Sequence, residues 1–383
     1  MFKHELQKLE NQGLLRKLRQ VDSAQGPRII LKAKEVINLC SNDYLGLANH
    51  LLLKEAAKKA LDTYGTGSAA SRLISGTTQL HKELEKRIAR FKKTEAALVF
   101  NSGYSANLGI ITALVDREDI IFSDKLNHAS IVDGCLLSGA EFKRYPHKDI
   151  NALEKMLQES INHRRRLIIT DTIFSMDGDI APLLEIVELA KKYDCMLMLD
   201  EAHATGVFGE HGCGVFEHFK LENRDHIIHM GTLSKALGSF GAYVAGSKDL
   251  IEYIINKSRP FIYTTALPAY VIAASIAALD IIEKQPDLRK KLWDNVNFFK
   301  QGLEKININT MQSQSQIIPI LIGDNDKAVK ISNRLLEVGI FIQAIRPPTV
   351  PKGQARLRVT IMATHTKKDL EIALDKLNKL GKL

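Results

Sequence analysis

Residues 227–241 read IIHMGTLSKALGSFG, a short apolar run followed by a single lysine, Lys235, among small residues. Similar apolar runs lie at 96–100, 119–122, 167–170 and 196–199. Helix-like segments separate several of these runs. Fully apolar short strands that alternate with helices are typical of a parallel sheet covered on both faces. The sequence therefore predicts an α/β protein built on a mostly parallel sheet.

The pattern of elements changes after about residue 270. Long helices are predicted at 270–284 and 287–305, strands near 316–322 and 355–361, and further helices at 326–338 and 367–380. Residues 1–20 carry leucines at roughly helical spacing. We therefore expect an N-terminal helix and arm over 1–45, a large domain over 46–270, and a smaller C-terminal α+β domain over 271–383.

The composition narrows the class of protein. Of 383 residues, 45% are hydrophobic and 25% are charged, as in soluble globular proteins. No apolar run reaches the roughly 20 residues of a membrane span. The four cysteines form no CxxC pair and the first residues are polar, so we expect reduced thiols, a cytoplasmic location and no membrane segment. The formal charge of +9 suits a polyanionic small substrate as well as nucleic acid.

Groups that can bind anions or transfer protons follow five of the predicted strands. In an open α/β sheet, ligands bind beyond the carboxyl ends of the strands. The groups are a glycine turn at a helix start (Ser102, Gly103, Tyr104), an imidazole (His128), a hydroxyl (Ser175), a carboxylate with a second imidazole (Asp200, His203), and Thr232 with Lys235. Each one alone has an ordinary structural explanation. Together they fit a flat aromatic aldehyde that carries a phosphate and a basic ring nitrogen.

Pyridoxal phosphate (PLP) has these features. Lys235 would form a Schiff base with its aldehyde, and the small residues around the lysine would leave room for the ring. Asp200 would face the pyridine nitrogen and keep it protonated, because a nearby carboxylate raises the pKa of that nitrogen. His128 would stack on the ring, which makes Lys235, His128 and Asp200 the expected catalytic residues. The other expected cofactor contacts are Ser175 and His203 near the phenolic oxygen, Ser102, Gly103 and Tyr104 at the phosphate, and Thr232.

Other readings of the motifs fail on their context. DEAH at 200–203 matches the Mg²⁺ box of nucleic-acid motors, but the chain has no GxxxxGK[ST] loop. GTGSAA at 65–70 is similar to a dinucleotide-binding fingerprint, but a predicted helix precedes it where a strand is required. No HExxH motif and no His/Cys cluster with zinc spacing occurs. We expect no nucleic-acid partner and no metal.

The chain resembles the α-oxoamine synthases, PLP-dependent enzymes of the aspartate aminotransferase fold that condense an amino acid with an acyl-CoA. Motifs shared with this family run nearly end to end: SNDYLGL (41–47), GTGSAASR (65–72), NSGYSAN (101–107), NHAS (127–130), FSMDGD (174–179), DEAHATG (200–206), GTLSKALGSFG (231–241), YTTALP (263–268) and RLRVT (356–360). The resemblance implies a PLP-dependent transferase fold whose large domain binds the cofactor. It also implies a homodimer with the active site at the subunit interface.

Residues 345–365 and 319–325 are most similar to the biotin-pathway branch of this family. That branch joins L-alanine to pimeloyl-CoA, or to pimeloyl on an acyl carrier protein. A branch that joins glycine to acetyl-CoA has a similar VPKGQAR segment (350–356) and stays as the alternative, as does an inactive relative. The resemblance implies that Arg358 binds the alanine carboxylate, that Asn42 and His128 lie near the substrate, that Arg16 and Thr349 contact the acyl substrate, and that Thr264 or Thr265 reaches the phosphate in the neighbouring subunit.

Overall fold

The computed structural model describes residues 2–222 and 226–379. The described residues form two compact units. The smaller unit takes its residues from Met1–Asn49, Ser175–Asp179 and Asp287–Leu383, and the larger unit from His50–Phe174 and Ile180–Pro286. The sequence places the boundaries at 45/46 and 270/271 and treats the arm as a separate part. In the structure the arm belongs with the C-terminal segment.

The strands are β1 (Arg28–Leu31), β2 (Lys34–Asn38), β3 (Ala96–Phe100), β4 (Ile120–Asp124), β5 (Glu141–Tyr145), β6 (Arg166–Asp171), β7 (Met196–Asp200), β8 (Ile227–Thr232), β9 (Ala242–Gly246), β10 (Ile317–Gly323), β11 (Ile340–Phe341), β12 (Gln343–Ile345) and β13 (Ala355–Thr360). The helices are α1 (Phe2–Asn11), α2 (Leu51–Tyr64), α3 (Gln79–Lys92), α4 (Gly103–Leu114), α5 (Ala129–Ser138), α6 (Ile150–Gln158), α7 (Leu183–Lys192), α8 (Val215–His218), α9 (Lys248–Lys257), α10 (Arg259–Ile262), α11 (Ala269–Lys284), α12 (Asp287–Lys305), α13 (Asn325–Glu337) and α14 (Lys367–Lys379).

The larger unit is built on a seven-stranded sheet in the order β3-β9-β8-β7-β6-β4-β5. Strands β4 to β8 pair in parallel, and β9 is antiparallel to both of its neighbours. The central strands are apolar along their length because helices α4, α5 and α9 pack with them in one core, as in the contacts of Ile110, Ile131 and Ile251. The predicted mostly parallel sheet is confirmed.

Strand register brings the carboxyl ends of the central strands together. Asp171, at the end of β6, pairs in register with Asp200, at the end of β7. Asp200 pairs in turn with Met230 on β8, two residues before Thr232. The groups that follow these strands in sequence therefore meet at one edge of the sheet, as the rule for open α/β sheets requires.

The smaller unit contains two three-stranded sheets, β1-β2-β11 and β10-β13-β12. Strand β2 of the arm pairs in parallel with β11 of the C-terminal segment, which explains why the arm is not a separate part. The second boundary lies after residue 286 because α11 packs against α2 and α3 of the larger unit. Residue 380, predicted to end the last helix, lies outside the described residues.

The N-terminal helix is shorter than the leucine spacing predicts. Helix α1 ends at Asn11, and Gly13 follows in the left-handed region with φ +63°. A Cβ atom at Gly13 would lie 2.3 Å from Asp326 Oδ1, so the chain leaves the helix at a point where only glycine fits. In the part of the chain that the structure describes, no helix is long and apolar enough to cross a membrane.

Candidate active site

Lys235 lies in a tight turn after β8. Its Nζ is 2.9 Å from Nε2 of His203, and the lysine side chain is half-buried. The glycines around it serve the packing of the chain itself. A Cβ at Gly231 would lie 2.4 Å from the hydroxyl of Tyr243, and Gly241 has φ +107°. The small residues of this segment are therefore needed by the protein core as well as by a bulky ligand.

Asp200 is a buried carboxylate without an internal cation. It is 3% exposed, its Oδ2 accepts a hydrogen bond from Nδ2 of Asn107 at 2.9 Å, and its Oδ1 accepts one from the N–H of Ala202 at 2.9 Å. Across residues 2–222 and 226–379, no cationic side chain forms an ion pair with it. A buried charge needs a partner of opposite sign. A protonated ring nitrogen supplies that partner, so this observation fits PLP.

Asn107 is a functional residue that sequence reasoning missed. Its Nδ2 donates to both Asp200 Oδ2 and Ser130 Oγ, each at 2.9 Å. The residue lies on α4, about one turn after Gly103 and Tyr104, which the sequence analysis considered. Its only sequence signal is its place in the NSGYSAN motif.

His128 begins helix α5 and is fixed on both its backbone and its ring. Its N–H donates to Asp171 Oδ2 at 2.7 Å, and its Nδ1 lies 2.8 Å from Ser130 Oγ. Burial lowers the pKa of His128 below its usual value, Asp200 opposes this effect, and the charge of Lys235 adds to it. The ring is therefore kept in its neutral form near pH 7, as a flat stacking surface requires.

Asp171 is the second buried carboxylate at this edge, and the sequence analysis did not single it out. Burial and the negative charge of Asp200 raise its pKa well above its usual range. A negative charge at the end of the neighbouring strand disfavours ionisation of Asp171. Asp171 is the one that favours the protonated form.

The start of helix α4 forms the expected phosphate end. Ser102 is its N-cap, with Oγ accepting from the N–H of Ser105 at 3.1 Å, and the first N–H groups of a helix favour an anion. A Cβ at Gly103 would lie 2.9 Å from Cγ2 of Thr232, so the helix start and the end of β8 are in contact. The hydroxyl of Tyr104 donates to Asp133, so only its backbone is available to a phosphate.

The two threonines expected to reach a neighbouring subunit lie after α10. The backbone oxygen of Thr265 accepts a hydrogen bond from Nδ2 of Asn101 at 2.8 Å. Thr265 is exposed and Thr264 is half-buried. Their role toward a second subunit stays a prediction.

Arg358 lies on β13 of the smaller unit and is 7% exposed. Its Nε donates to the backbone oxygen of Ser175 at 2.6 Å, and its Nη1 donates to Oδ1 of Asn42 at 3.1 Å. No carboxylate of the described chain pairs with it. A buried guanidinium held only by neutral oxygens suits a carboxylate ligand. Ser175, expected near the phenolic oxygen, belongs to this unit and contacts Arg358 through its backbone.

Arg16 and Thr349 also belong to the smaller unit and line one cavity of about 840 Å³. Arg16 is exposed, and its Nη2 donates to the backbone oxygen of Pro347 at 3.3 Å. The N–H of Thr349 donates to the backbone oxygen of Arg346 at 3.1 Å. Among the described residues, no group of His, Cys, Asp and Glu side chains could hold a metal ion.

Comparison with known proteins identifies a family over nearly the whole chain. Residues 34–377 match the aminotransferase class I and II family. The 8-amino-7-oxononanoate synthase of Geobacter sulfurreducens is 54% identical, covering 99% of this chain and 97% of the relative. The 8-amino-7-oxononanoate synthase 1 of Bacillus subtilis is 48% identical, covering 100% and 97%.

Solved structures give the same result at lower identity. A serine palmitoyltransferase from S. paucimobilis, solved with a bound adduct of PLP and myriocin, has a TM-score of 0.94 and is 32% identical, covering 99% of this chain and 96% of that one. The 8-amino-7-oxononanoate synthase of Francisella tularensis has a TM-score of 0.77 and is 31% identical, covering 90% and 97%. The PLP-dependent transferase fold is thereby confirmed.

Proposed function

Because the chain belongs to the aminotransferase class I and II family, within its 8-amino-7-oxononanoate synthases, we propose that it condenses L-alanine with a pimeloyl thioester. The products are 8-amino-7-oxononanoate, CO₂ and the free thiol of CoA or of an acyl carrier protein. The cofactor is PLP, and the reaction belongs to biotin synthesis. We propose a cytoplasmic homodimer as the working form.

The observation that carries this proposal is the buried carboxylate of Asp200, which has no cationic partner among the described residues and accepts from Asn107 and Ala202. When bound, PLP supplies an electron sink for negative charge that develops on the amino acid, provided that its ring nitrogen is protonated. Asp200 supports that protonation. Asn107 holds the carboxylate in place through its side-chain amide.

Lys235 is proposed to hold the cofactor and then to remove the Cα proton of alanine. Its amine is 2.9 Å from Nε2 of His203, which orients it and accepts or returns a proton. His128 is proposed to stack on the cofactor ring as a neutral imidazole and to lie near the substrate. Asp171 positions it through the His128 N–H.

Arg358 is proposed to bind the alanine carboxylate. Two of its donors are fixed by neutral oxygens of Ser175 and Asn42, and its remaining N–H groups are suited to a two-point contact with a carboxylate. The charge of the ligand would complete a buried arginine that has no carboxylate partner in the described chain. Asn42 thus lies near the substrate in this proposal.

The remaining cofactor assignments rest on the groups that follow the strands, and those for Thr264, Thr265, Arg16 and Thr349 rest on the family resemblance. Ser102, Gly103, Tyr104 and Thr232 would bind the phosphate, and Ser175 and His203 would lie near the phenolic oxygen. Thr264 or Thr265 would contact the phosphate in the neighbouring subunit. Arg16 and Thr349 would contact the acyl substrate.

A direct test compares two substrate pairs with the purified protein loaded with PLP. We expect kcat/KM to be higher for L-alanine with pimeloyl-CoA than for glycine with acetyl-CoA, with 8-amino-7-oxononanoate identified by mass. A parallel assay with pimeloyl on an acyl carrier protein identifies the donor. A higher kcat/KM for glycine with acetyl-CoA would contradict the proposed substrates while leaving the fold and cofactor unaffected.

A further inference from the structure

One asparagine links two of the side chains that are proposed to act on the cofactor. Asn107 is 1% exposed, and its Nδ2 lies 2.9 Å from Oδ2 of Asp200 and 2.9 Å from Oγ of Ser130. Ser130 is also 1% exposed, and its Oγ lies 2.8 Å from Nδ1 of His128. The four side chains therefore form one hydrogen-bonded chain within the larger unit, in the order Asp200, Asn107, Ser130, His128.

The orientation of the Asn107 amide follows from its neighbours. Asp200, as an ionised carboxylate, can only accept a hydrogen bond, so the amide nitrogen must face it. The NH₂ group of an asparagine has two donors. The first is directed at Asp200 and the second at Oγ of Ser130. The hydroxyl of Ser130 is therefore an acceptor toward Asn107.

Two donors converge on Nδ1 of His128. Because the Ser130 hydroxyl accepts from Asn107, its own proton is left for Nδ1 of His128, which is 2.8 Å away. The backbone N–H of Ser130 also donates to Nδ1, at 3.3 Å, and so caps the start of α5. A ring nitrogen that carries a proton cannot accept from either group. Nδ1 is therefore unprotonated, and the proton of the neutral ring lies on Nε2.

The carbonyl end of the Asn107 amide is less well satisfied than its nitrogen. Oδ1 is buried and has no hydrogen-bond partner in the described chain. A buried polar atom without a partner destabilises a fold, and an apolar side chain of similar size would avoid that cost. The two bonds from Nδ2, to Asp200 and to Ser130, are what an asparagine supplies here and an apolar residue does not.

We propose that Asn107 and Ser130 are positioning residues that set the tautomer of His128 and tie its ring to Asp200. The inference rests on the proposed function, in which His128 stacks on the cofactor ring and lies near the amino acid. Among the described residues, the hydrogen bonds of the His128 ring are made at Nδ1. The N–H at Nε2 is thereby left as a donor for an oxygen atom of the substrate.

The tautomer can be measured by NMR of the holoenzyme labelled with ¹⁵N at histidine, because protonated and unprotonated ring nitrogens resonate at well-separated shifts. A His128→Gln spectrum assigns the signals of this residue. In the wild type we expect an unprotonated Nδ1 and a protonated Nε2. In Ser130→Ala the hydroxyl donor to Nδ1 is lost, so both resonances should move toward the average of the two tautomers.

The same change should weaken the binding of the amino acid. Absorbance titration of the holoenzyme with L-alanine should give an apparent Kd that is higher by roughly 3- to 10-fold in Ser130→Ala, the effect of about one hydrogen bond. Asn107→Ala should also move the His128 resonances, although its bond is to Ser130 and not to the ring. The reason is that the Ser130 hydroxyl then loses the donor that fixes its orientation.

The matched control is Ser123→Ala. Ser123 is buried, and its Oγ accepts from Nδ2 of Asn127 at 2.8 Å, so it has the same kind of partner as Ser130 without a bond to the His128 ring. This variant should keep the His128 resonances and the affinity for alanine. Ser130→Thr retains the hydroxyl and should keep the wild-type tautomer.

A proton on Nδ1 of His128 in the wild-type holoenzyme would overturn the inference. Unchanged His128 resonances in either Ser130→Ala or Asn107→Ala would also overturn it, even with weaker alanine binding, because the two residues would then act on stability or packing alone. The proposed function fails separately, if the holoenzyme does not condense alanine with a pimeloyl thioester. The tautomer measurement uses no acyl substrate and decides the inference in that case too.

Discussion

Two neighbouring carboxylates, Asp200 and Glu201, have opposite surroundings. Glu201 is fully buried and pairs with Lys92 and with Nδ1 of His229, the latter at 3.1 Å. Asp200 is nearly as buried, but it accepts hydrogen bonds from an amide side chain and a backbone N–H. The protein supplies the cation for Glu201. For Asp200 we propose that the cofactor supplies it.

The lysines beside these two carboxylates, Lys92 and Lys235, differ in burial and in the hydrogen-bond partner that the structure shows. Lys92 is 2% exposed and donates to Glu201 and to the backbone oxygen of Cys213. Lys235 is half-buried and hydrogen-bonds to the imidazole of His203. A buried lysine with a carboxylate partner is held in one place and stays charged. Lys92 and Glu201 thus form a structural cluster, and we propose Lys235 and Asp200 as the reactive one.

The largest difference between the clusters should follow removal of each lysine. Lys235→Ala should lower kcat by at least roughly 10²- to 10⁴-fold, the range of a positioned proton-transfer group, and abolish the visible absorbance of the lysine-linked cofactor. Lys92→Met should keep that absorbance in the folded fraction. Absorbance spectra and steady-state rates of both variants check this. A Lys235→Ala protein that still gave a borohydride-reducible lysine adduct at this site would refute the assignment.

Substitution of Asp200 should act on activity, whereas substitution of Glu201 should act on stability. Asp200→Asn should still bind PLP but lose about 10²-fold or more in kcat, because the ring nitrogen of the cofactor no longer stays protonated. Each unit by which the pKa of that nitrogen falls corresponds to about 1.4 kcal/mol. Cofactor binding is followed by spectral titration and kcat by the alanine assay. If kcat stays at the wild-type value, Asp200 only caps its strand end.

Glu201→Gln should act on stability first. Removal of one partner of a buried ion pair leaves an uncompensated charge on Lys92 and destabilises by roughly 3–5 kcal/mol. Chemical denaturation with PLP present measures this free energy of unfolding. The exposed ion pair between Lys379 and Asp375 gives the control, since Asp375→Asn should change stability by less than about 1 kcal/mol. A small loss of stability with a large loss of kcat would move Glu201 into the reactive cluster.

The pH dependence of stability sharpens the contrast further. Burial alone would raise the pKa of Glu201, but Lys92 and His229 lower it to about 2, below the value of 4.5 for a free side chain. A depressed carboxyl pKa contributes stability above pH 4.5 and loses it as the pH falls toward 2. The contribution is roughly 3 kcal/mol by the usual relation between pKa and free energy. Denaturation across this window should be less steep in Glu201→Gln; an unchanged slope would contradict the pairing.

Much of the fold could be predicted because it depends on local pattern. Apolar runs predicted the central strands, and helical periodicity predicted α12 to α14, with bounds correct to within a few residues. Where several local signals met, as at Lys235 and Asp200, the sequence also identified the expected site. The N-terminal helix was predicted too long, because the leucine spacing continues past Asn11 whereas Gly13, in the left-handed region, ends the helix.

Contacts between distant segments could not be predicted. Asn107 and Asp171 were missed because their partners, Asp200 and His128, become neighbours only through the strand order and register of the sheet. Tyr104 is expected at the phosphate, and the structure shows its hydroxyl donating to Asp133, a partner that the sequence does not indicate. In each case the partner of the side chain was decided by packing.

The sequence by itself determined the alternation of strands and helices, the candidate lysine and the class of cofactor, because hydrophobic periodicity and residue type act over a few neighbouring positions. Only the tertiary structure decided which charges are paired. It joined Lys92 to Glu201 across 109 residues and gave Asp200 and Arg358 neutral partners among the described residues. Charge pairing depends on distance and burial in three dimensions, and neither quantity is written in the local sequence.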